Sequence, residues 1–511
     1  MRRGKPWLCG VLCACVLLSC LGCETEDDRY FNQLVAERKA QLPQEEETEW
    51  RYMGMEPQPG DDLEGEVVIR AYTAWNNAPA ISEFASEFMF QHPAVKVTID
   101  WELELSETPS RARHDAFLQQ VRVEMASGAA DYVFFGNASD DWEINVPAMT
   151  RAGLLEDFNL YLRDSQELSQ DSFYQPVLEA MQVDGWQTAL PLSFQYTAMT
   201  FDRERLGDIG MTLDSDQPVT PRDVMDWYGL ALEREPDLGL FYASPTIDTM
   251  FDLERTAYMD LEDKSCSFDR QPFVDYLTQL TTIQNQEPDL DPQYVGRYHP
   301  VSYALDFYYY HHGEPQMFEF LEDVSQTAAH AKDFFACPHD ARPCTLLTKY
   351  EPLDYLAGPY PLTNSQGALG ITCQEFFLLP GCVQDKELAW EFIQYCAGDR
   401  EDPRMDENSH PWYYTYYFPA NRHNMAAMAE DAADGTGLSM VEEGFATSVW
   451  ELDQQEYLDR LEDLLSLPLV FLPYYEVDTQ EFFDELVVNR LTTPEQCAEK
   501  IQDRVTIKLN E

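Results

Sequence analysis

The chain has 511 residues, of which 44% are hydrophobic and 13% aromatic. That is ample for large cores and unlike a disordered chain, and the length exceeds what one core supports, so two lobes or domains are expected. With 34 basic against 92 acidic residues, the chain repels nucleic-acid phosphates and anionic lipid faces, which excludes both as electrostatic partners.

In chain order, Arg2, Arg3 and Lys5 come first, followed by the apolar run Trp7 to Leu18. A membrane-spanning helix needs about 20 apolar residues, so this shorter run reads as the core of an export signal. It ends in "LLSCLGC", and Leu17-Leu18-Ser19-Cys20 resembles a bacterial lipobox. Residues 1–19 are therefore expected to be a lipoprotein signal peptide, with lipid on Cys20 and Cys23 as the second candidate. An ordinary secretory signal or an uncleaved anchor is the alternative. In each case the mature chain faces outward, lipid-anchored in the first case at the extracytoplasmic face of the cell membrane. Residues 20–65 are rich in Glu, Asp, Gln and Pro and read as an acidic tether, with a short helix over Arg29 to Leu42.

The pattern then becomes regular. "EVVIRAYT" (66–73) predicts a strand. Ile81, Phe84, Ala85, Phe88 and Met89 recur at helical spacing, and Val95, Val97, Ile99 and Trp101 alternate as in a strand. A helix is expected from Arg113 to Ala126, stopped by Gly128. "DYVFFG" (131–136) reads as a strand buried on both faces of a parallel sheet. Strand, helix, strand, helix, strand implies an α/β layer with right-handed crossovers. Further on, 185–202 reads as a turn and two strands, and 220–233 as a helix capped by Thr220 with Pro221 in its first turn. Residues 367–381 read as a strand, and 386–397 as a helix burying Leu388, Ala389, Phe392, Ile393 and Cys396. A closing amphipathic helix is expected after Thr493.

Five of the twelve cysteines lie in residues 1–23. Outside the cytosol some of the others can pair, and Cys337 and Cys344, which bracket "CPHDARPC", are candidates for a disulfide. His339 lies between them, but structural zinc sites use a tighter pair and four ligands. No metal and no cofactor is expected.

Several stretches, in order, resemble the extracellular solute-binding proteins of bacterial ABC importers, the carbohydrate-type group that includes maltose-binding protein. They are "VRVEMASGAADYVFF", "AGLLEDFNLYL", "GWQTALPLS", "LEDKSCSFDRQPFVDYLTQL", "LAWEFIQYC" with "FPANRHNM", and "AEKIQDRVTIKLNE". Ala130 and Thr188 depart from the family pattern, standing where a proline and an aromatic are usual. The resemblance implies a type II periplasmic-binding-protein-like α/β fold of two hinged lobes with mixed sheets. Lobe 1 would be 66–190 plus 370–425, and lobe 2 would be 191–369 plus 426–511. It also implies capture of a sugar or oligosaccharide between the lobes and delivery to permease subunits. A receptor that reports its ligand to a sensor kinase is an alternative, and a secreted glycan-active enzyme a weaker one. No Gly-x-Ser-x-Gly, Walker loop or His-Glu-x-x-His occurs, so no catalytic residue is named.

In open α/β sheets, ligands bind beyond the carboxyl ends of the strands. Sugars suit aromatic platforms flanked by fixed hydrogen-bonding groups. The loops "AWNN" (74–77) and "NASDDWEIN" (137–145) each offer a tryptophan beside Asn or Asp, which nominates Trp75, Asn76, Asp141 and Trp142. Gln195 and Tyr196 follow the "LPLS" crossover, Tyr360 lies in "GPYPLTNSQG", and Trp412 in "HPWYYTYYFP". Packing in a core is the competing role for each aromatic.

Overall fold

The structure is a computed structural model and describes residues 63–73, 78–103, 110–137, 139–165, 167–214, 217–236, 238–241, 246–284, 334–341, 356–399, 417–433, 454–477, 479–487 and 489–510. The signal peptide with Cys20 and Cys23, nearly all of the tether, Trp75, Asn76, Cys344 and Trp412 lie outside the described residues.

The first sheet grows from the pattern that begins at residue 65. Strand β1 (Gly65–Thr73), helix α1 (Ala78–Gln91), β2 (Val95–Leu103), α2 (Arg111–Ser127) and β3 (Val133–Gly136) follow in turn. β1 pairs in parallel with β2 from Gly65↔Val95 to Thr73↔Leu103, and with β3 at Ile69↔Val133. All four residues of β3 are buried, as its unbroken apolar sequence requires of a central strand. α2 starts at Arg111, two residues before its expected start, because the Ser110 hydroxyl accepts the Arg113 N–H and caps the helix. Gly128 ends it at φ 73°, where the cap N–H reaches back to Glu124 and Met125. A 3₁₀ turn (Ser139–Ile144) and helices α3 (Val146–Arg151), α4 (Phe158–Asp164) and α5 (Gln175–Ala180) lead to β4 (Ala189–Pro191).

The second sheet is built around β5 (Ser193–Asp202), all ten of whose residues are buried. After it come α6 (Arg203–Asp208), α7 (Pro221–Leu232), β6 (Gly239–Phe241), α8 (Thr246–Arg255), a small β7 (Met259–Asp260) and β8 (Ser265–Cys266) hairpin, α9 (Gln271–Gln284), β9 (Phe334–Ala341), β10 (Leu356–Pro361) and β11 (Leu369–Thr372). α7 opens with the expected cap: Thr220 and Asp223 exchange side-chain and backbone hydrogen bonds. The remaining elements are β12 (Phe376–Leu378), α10 (Lys386–Ala397), β13 (Phe418–Pro419), α11 (Arg422–Ala433), α12 (Gln454–Leu465), β14 (Leu469–Phe471), α13 (Gln480–Val487) and α14 (Pro494–Asn510).

The strand orders are β2-β1-β3-β12-β4 in the first sheet and β14-β11-β5-β9-β6 in the second, where β10 and β13 also pair with β5. The stretch 367–381 is therefore two strands. β11 belongs to the second sheet and β12 to the first, with Cys373–Glu375 passing between them. β4 and β5 divide in the same way, with Leu192 alone between them. One hydrophobic cluster packs on the first sheet and reaches β5 and α12; a second packs β5, α7, α8, α9 and α14 together.

Candidate functional site

The carboxyl ends of β1, β2 and β3 lie at Thr73, Leu103 and Gly136. Beyond β3, a buried polar knot fixes the next loop. The Asn137 side-chain amide donates to the Thr73 carbonyl (2.6 Å) and its backbone N–H to Asp141 Oδ2 (2.9 Å). His114 Nε2 donates to Asp141 Oδ1 (2.7 Å), and the Tyr72 ring meets His114 edge-on. Asp141 is completely buried. It takes up the donors that would otherwise be orphaned at this edge, and in doing so it aims the next residue, Trp142.

Trp142 is 4% exposed. Its ring stacks on Phe376 with centroids 3.7 Å apart, and its Nε1–H donates to the Cys373 carbonyl (2.8 Å). Phe471 and Tyr474 meet it edge-on. Trp142 therefore leaves the first sheet and seats on the passage to the second.

Three chain passages meet there. The Leu192 N–H donates to the Glu375 carbonyl (2.8 Å), and the Ala420 N–H donates to the Leu192 carbonyl (3.0 Å). Phe418↔Phe194 and Pro419↔Ser193 pair across the third passage. Sequence polarity alternates along the start of β5. Phe194, Tyr196 and Ala198 join the first core, while Ser193, Gln195 and Thr197 form the opposite, polar face. Thr372 stands opposite Gln195 in the β11–β5 register. Gln195 Nε2 and Thr372 Oγ1 are buried and have no hydrogen-bond partner among the described residues. Unpaired buried groups of this kind are costly. Burial pushes the Cys373 thiol well above its ordinary range and holds the Glu375 carboxyl up at about 7.

The other nominated aromatics sit elsewhere. The Tyr196 ring is 1% exposed and packs against Phe418. Tyr360, 6% exposed, lies in the second core with its ring 5.9 Å from that of Phe201. In this structure both rings are packing groups. The loop after Tyr360 is held by α8 and the turn beyond it: Ser365 N–H donates to Glu254 (2.9 Å), and the Asn364 amide to Thr256 (2.9 Å). Cys266, Cys373, Cys382, Cys396 and Cys497 are free thiols. Among the described residues no group of His, Cys, Asp or Glu could hold a metal ion, and no helix is long and apolar enough to cross a membrane.

Trp142, aimed by Asp141, packs in the first core against the Cys373 passage, Gln195 stands opposite Thr372 on the polar face of β5, and Tyr196 and Tyr360 pack in the first and second cores. His114, Thr372, Glu375 and Tyr474 lie around the same passages. Of these, Glu375 carries a signal in the sequence, as one acid inside the apolar run "ITCQEFFLLP".

No protein-family model and no curated relative matches the sequence. Solved structures do share its architecture. An ABC substrate-binding protein from Listeria monocytogenes in complex with cycloalternan is 13% identical, aligning over 88% of this chain and 100% of its own with a TM-score of 0.51. The sugar-binding protein MalE from Xanthomonas citri is also 13% identical, over 87% and 98%, with a TM-score of 0.54. The chain has the fold of the extracellular solute-binding proteins. It is a periplasmic-binding-protein-like α/β fold of type II, with two mixed sheets joined by the crossover described above. A designed esterase matches as well, 14% identical over 88% of this chain and 100% of its own with a TM-score of 0.55, so the fold alone names no activity.

Proposed function

We propose that this chain is an extracytoplasmic solute-binding protein that captures a sugar or oligosaccharide between its two sheets and passes it unaltered to an ABC permease. The observation that carries this reading is the crossover. The Trp142 indole donates to the Cys373 carbonyl, one residue from Thr372, which stands opposite Gln195, where three passages join the sheets. An aromatic face with neutral hydrogen-bonding groups suits a polyhydroxylated, uncharged solute.

The lobes are proposed at 66–190 plus 370–425 and at 191–369 plus 426–511; the passages at Leu192 and Cys373–Glu375 lie within a few residues of two of these bounds. α12 and β14 supply buried residues to the first core and lie close to the junction. In the observed arrangement Trp142 is covered by Phe471 and Tyr474, so the solute enters when these separate, and it favours the state in which it is enclosed. Trp75, Asn76 and Trp412 are assigned to the same cleft from sequence. Asp141 positions Trp142, while Tyr196 and Tyr360 support β5 and β10. The N-terminal cysteine, Cys20 or Cys23, anchors the mature chain to the membrane by lipid.

The test is a thermal-shift screen of the mature protein against neutral oligosaccharides. A ligand at about 100 times its dissociation constant stabilises by about 2.7 kcal/mol. Trp142→Phe keeps most of the stacking surface but should weaken the response. A flat screen across mono- and oligosaccharides overturns the assignment, as does turnover of a bound glycan.

A further inference from the structure

Glu375 occupies an unusual position for an acid. It is 3% exposed and lies in the passage between β11 and β12. Its carbonyl accepts the Leu192 N–H (2.8 Å) and the Cys373 thiol (3.0 Å), so its backbone ties two of the three passages together. It borders a cavity of about 20 Å³ whose lining is mostly apolar, with Ile81, Phe84, Phe135 and Phe173 among its walls and Asn421 and Asn424 its other polar members. Among the described residues no Lys, Arg or His forms an ion pair with it. The Asn421 amide is directed to the Ala397 carbonyl (3.0 Å) and Asp399 (3.1 Å), and the Asn424 amide to the Gly398 carbonyl (3.0 Å). Ser193 Oγ offsets part of the burial, though it makes no hydrogen bond of ordinary geometry.

We propose that Glu375 is a proton-operated latch on the crossover: protonated, it keeps the three passages packed and dry; ionised, it draws water in beside Asn421 and frees the passages to flex.

The physical reason is solvation. A neutral carboxylic acid is tolerated in a dry site, whereas an unpaired carboxylate there costs several kcal/mol more unless water or a cation reaches it. One water needs about 10–15 Å³, so the cavity admits about one, fewer than a carboxylate's four acceptor sites call for. Full hydration requires Leu192 or the Asn421 segment to move, and both are hydrogen-bonded into the junction. The titratable groups around the carboxyl do not supply a counter-charge. Cys373 shares its passage, Cys396 faces it from α10, Asp399 stands behind Asn421, and Tyr474 packs beyond Cys373. Burial places the carboxyl's titration at about 7, within the range that the outside of a cell meets. The device depends on the two-sheet crossover alone and does not require that the cleft bind a sugar.

The test is hydrogen exchange by mass spectrometry on the mature protein without ligand. It compares about pH 5.5 with about pH 8.5 after correction for intrinsic exchange. In the wild type, peptides spanning 189–196 and 371–379 should lose protection roughly tenfold or more at the higher pH, while the α2 and α14 peptides hold steady. Glu375→Gln, a neutral isostere, should stay protected at both. Equal protection of the wild type at both pH values overturns the proposal, as does the same loss in Glu375→Gln. Should that variant not fold, Glu375→Met and an infrared difference spectrum of wild type with labelled glutamate decide. A buried acid band present at about pH 6 and gone at about pH 8.5 supports the latch, and its absence at the lower pH refutes it. A protein that binds no sugar would leave these outcomes unchanged, so the two readings fail separately.

Discussion

Trp142 and Phe376 stack with ring centroids 3.7 Å apart and planes 22° from parallel. The first residue follows the third strand of the parallel run; the second opens the strand that returns from the other sheet. This single contact joins the predicted ligand edge to the crossover. Replacing the indole by Ala removes the stack, the hydrogen bond to the Cys373 carbonyl and the edge contacts with Phe471 and Tyr474. Trp142→Ala should cost about 3–5 kcal/mol in urea unfolding. Trp142→Phe keeps the stack and loses the hydrogen bond, for about 1 kcal/mol. If Trp142→Phe is as stable as the wild type, the indole N–H contributes nothing; if it is no more stable than Trp142→Ala, the stack contributes nothing.

Gly136 is opposite Phe376 in the β3–β12 register, and a Cβ there would come within 2.1 Å of the phenyl ring. Its absence of side chain is what lets the Phe376 ring lie flat under Trp142. Gly136→Ala should therefore lower stability by about 1–3 kcal/mol, as overpacking does. Adding Phe376→Leu should recover part of that loss in a double-mutant cycle, and strict additivity would show that the two sites do not touch.

Much of the first sheet was legible because β1, β2 and β3 carry local patterns: alternation in 95–101 and an unbroken apolar run in 131–136. The crossover was only half legible. "LPLS" marked the division at Leu192, but "ITCQEFFLL" reads as one strand, and nothing local says that Cys373–Glu375 changes sheets. That is decided by pairing with β5 on one side and β3 on the other, a long-range fact. The site aromatics failed to separate for the same reason. Trp142 and Tyr196 both end in the first core, Tyr196 by the strand pleat and Trp142 by the Asp141 knot, which seats it against the passage.

The knot itself is testable. Asp141 accepts from both His114 and the Asn137 backbone. Asp141→Ala strands two buried donors and should cost about 2–4 kcal/mol. Asp141→Asn keeps one acceptor for the Asn137 N–H and meets His114 Nε2 only if that ring takes its other tautomer, so it should fall between the wild type and Asp141→Ala. Because the knot aims Trp142, both variants should also shift its near-ultraviolet circular dichroism. An Asp141→Ala variant as stable as the wild type, with an unchanged Trp142 signal, would assign Asp141 no positioning role.

The thiols offer a check on burial. Cys373 is 1% exposed and its thiol is pushed well up, chiefly by desolvation; Cys497, fully buried, is pushed up to about 12 for the same reason. Cys266 and Cys382 are partly exposed. Thiolate is the reactive form, so at neutral pH alkylation followed by peptide mass spectrometry should modify Cys266 and Cys382 first and leave Cys373 and Cys497 intact until the chain unfolds. Early labelling of Cys373 would show that the crossover opens readily.

The last expectation concerns stability against pH. Burial holds Glu375 neutral in the folded chain up to about 7, against 4.5 for the same group in water. Below 4.5 the carboxyl is protonated in both states, and the stability linked to its proton is fully present. As pH rises from there to about 7 the unfolded chain releases its proton first, so folding is progressively disfavoured, by about 3 kcal/mol in all. Above about 7 the loss is complete and the curve flattens. Carboxylates held low, such as Glu235 beside Arg205, act in the opposite sense at lower pH, so the signature is a difference between two proteins. Wild type minus Glu375→Gln, measured by urea unfolding at intervals from about pH 4.5 to about pH 8, should fall steadily and then level. A difference independent of pH would mean that Glu375 is already ionised and solvated in the folded chain.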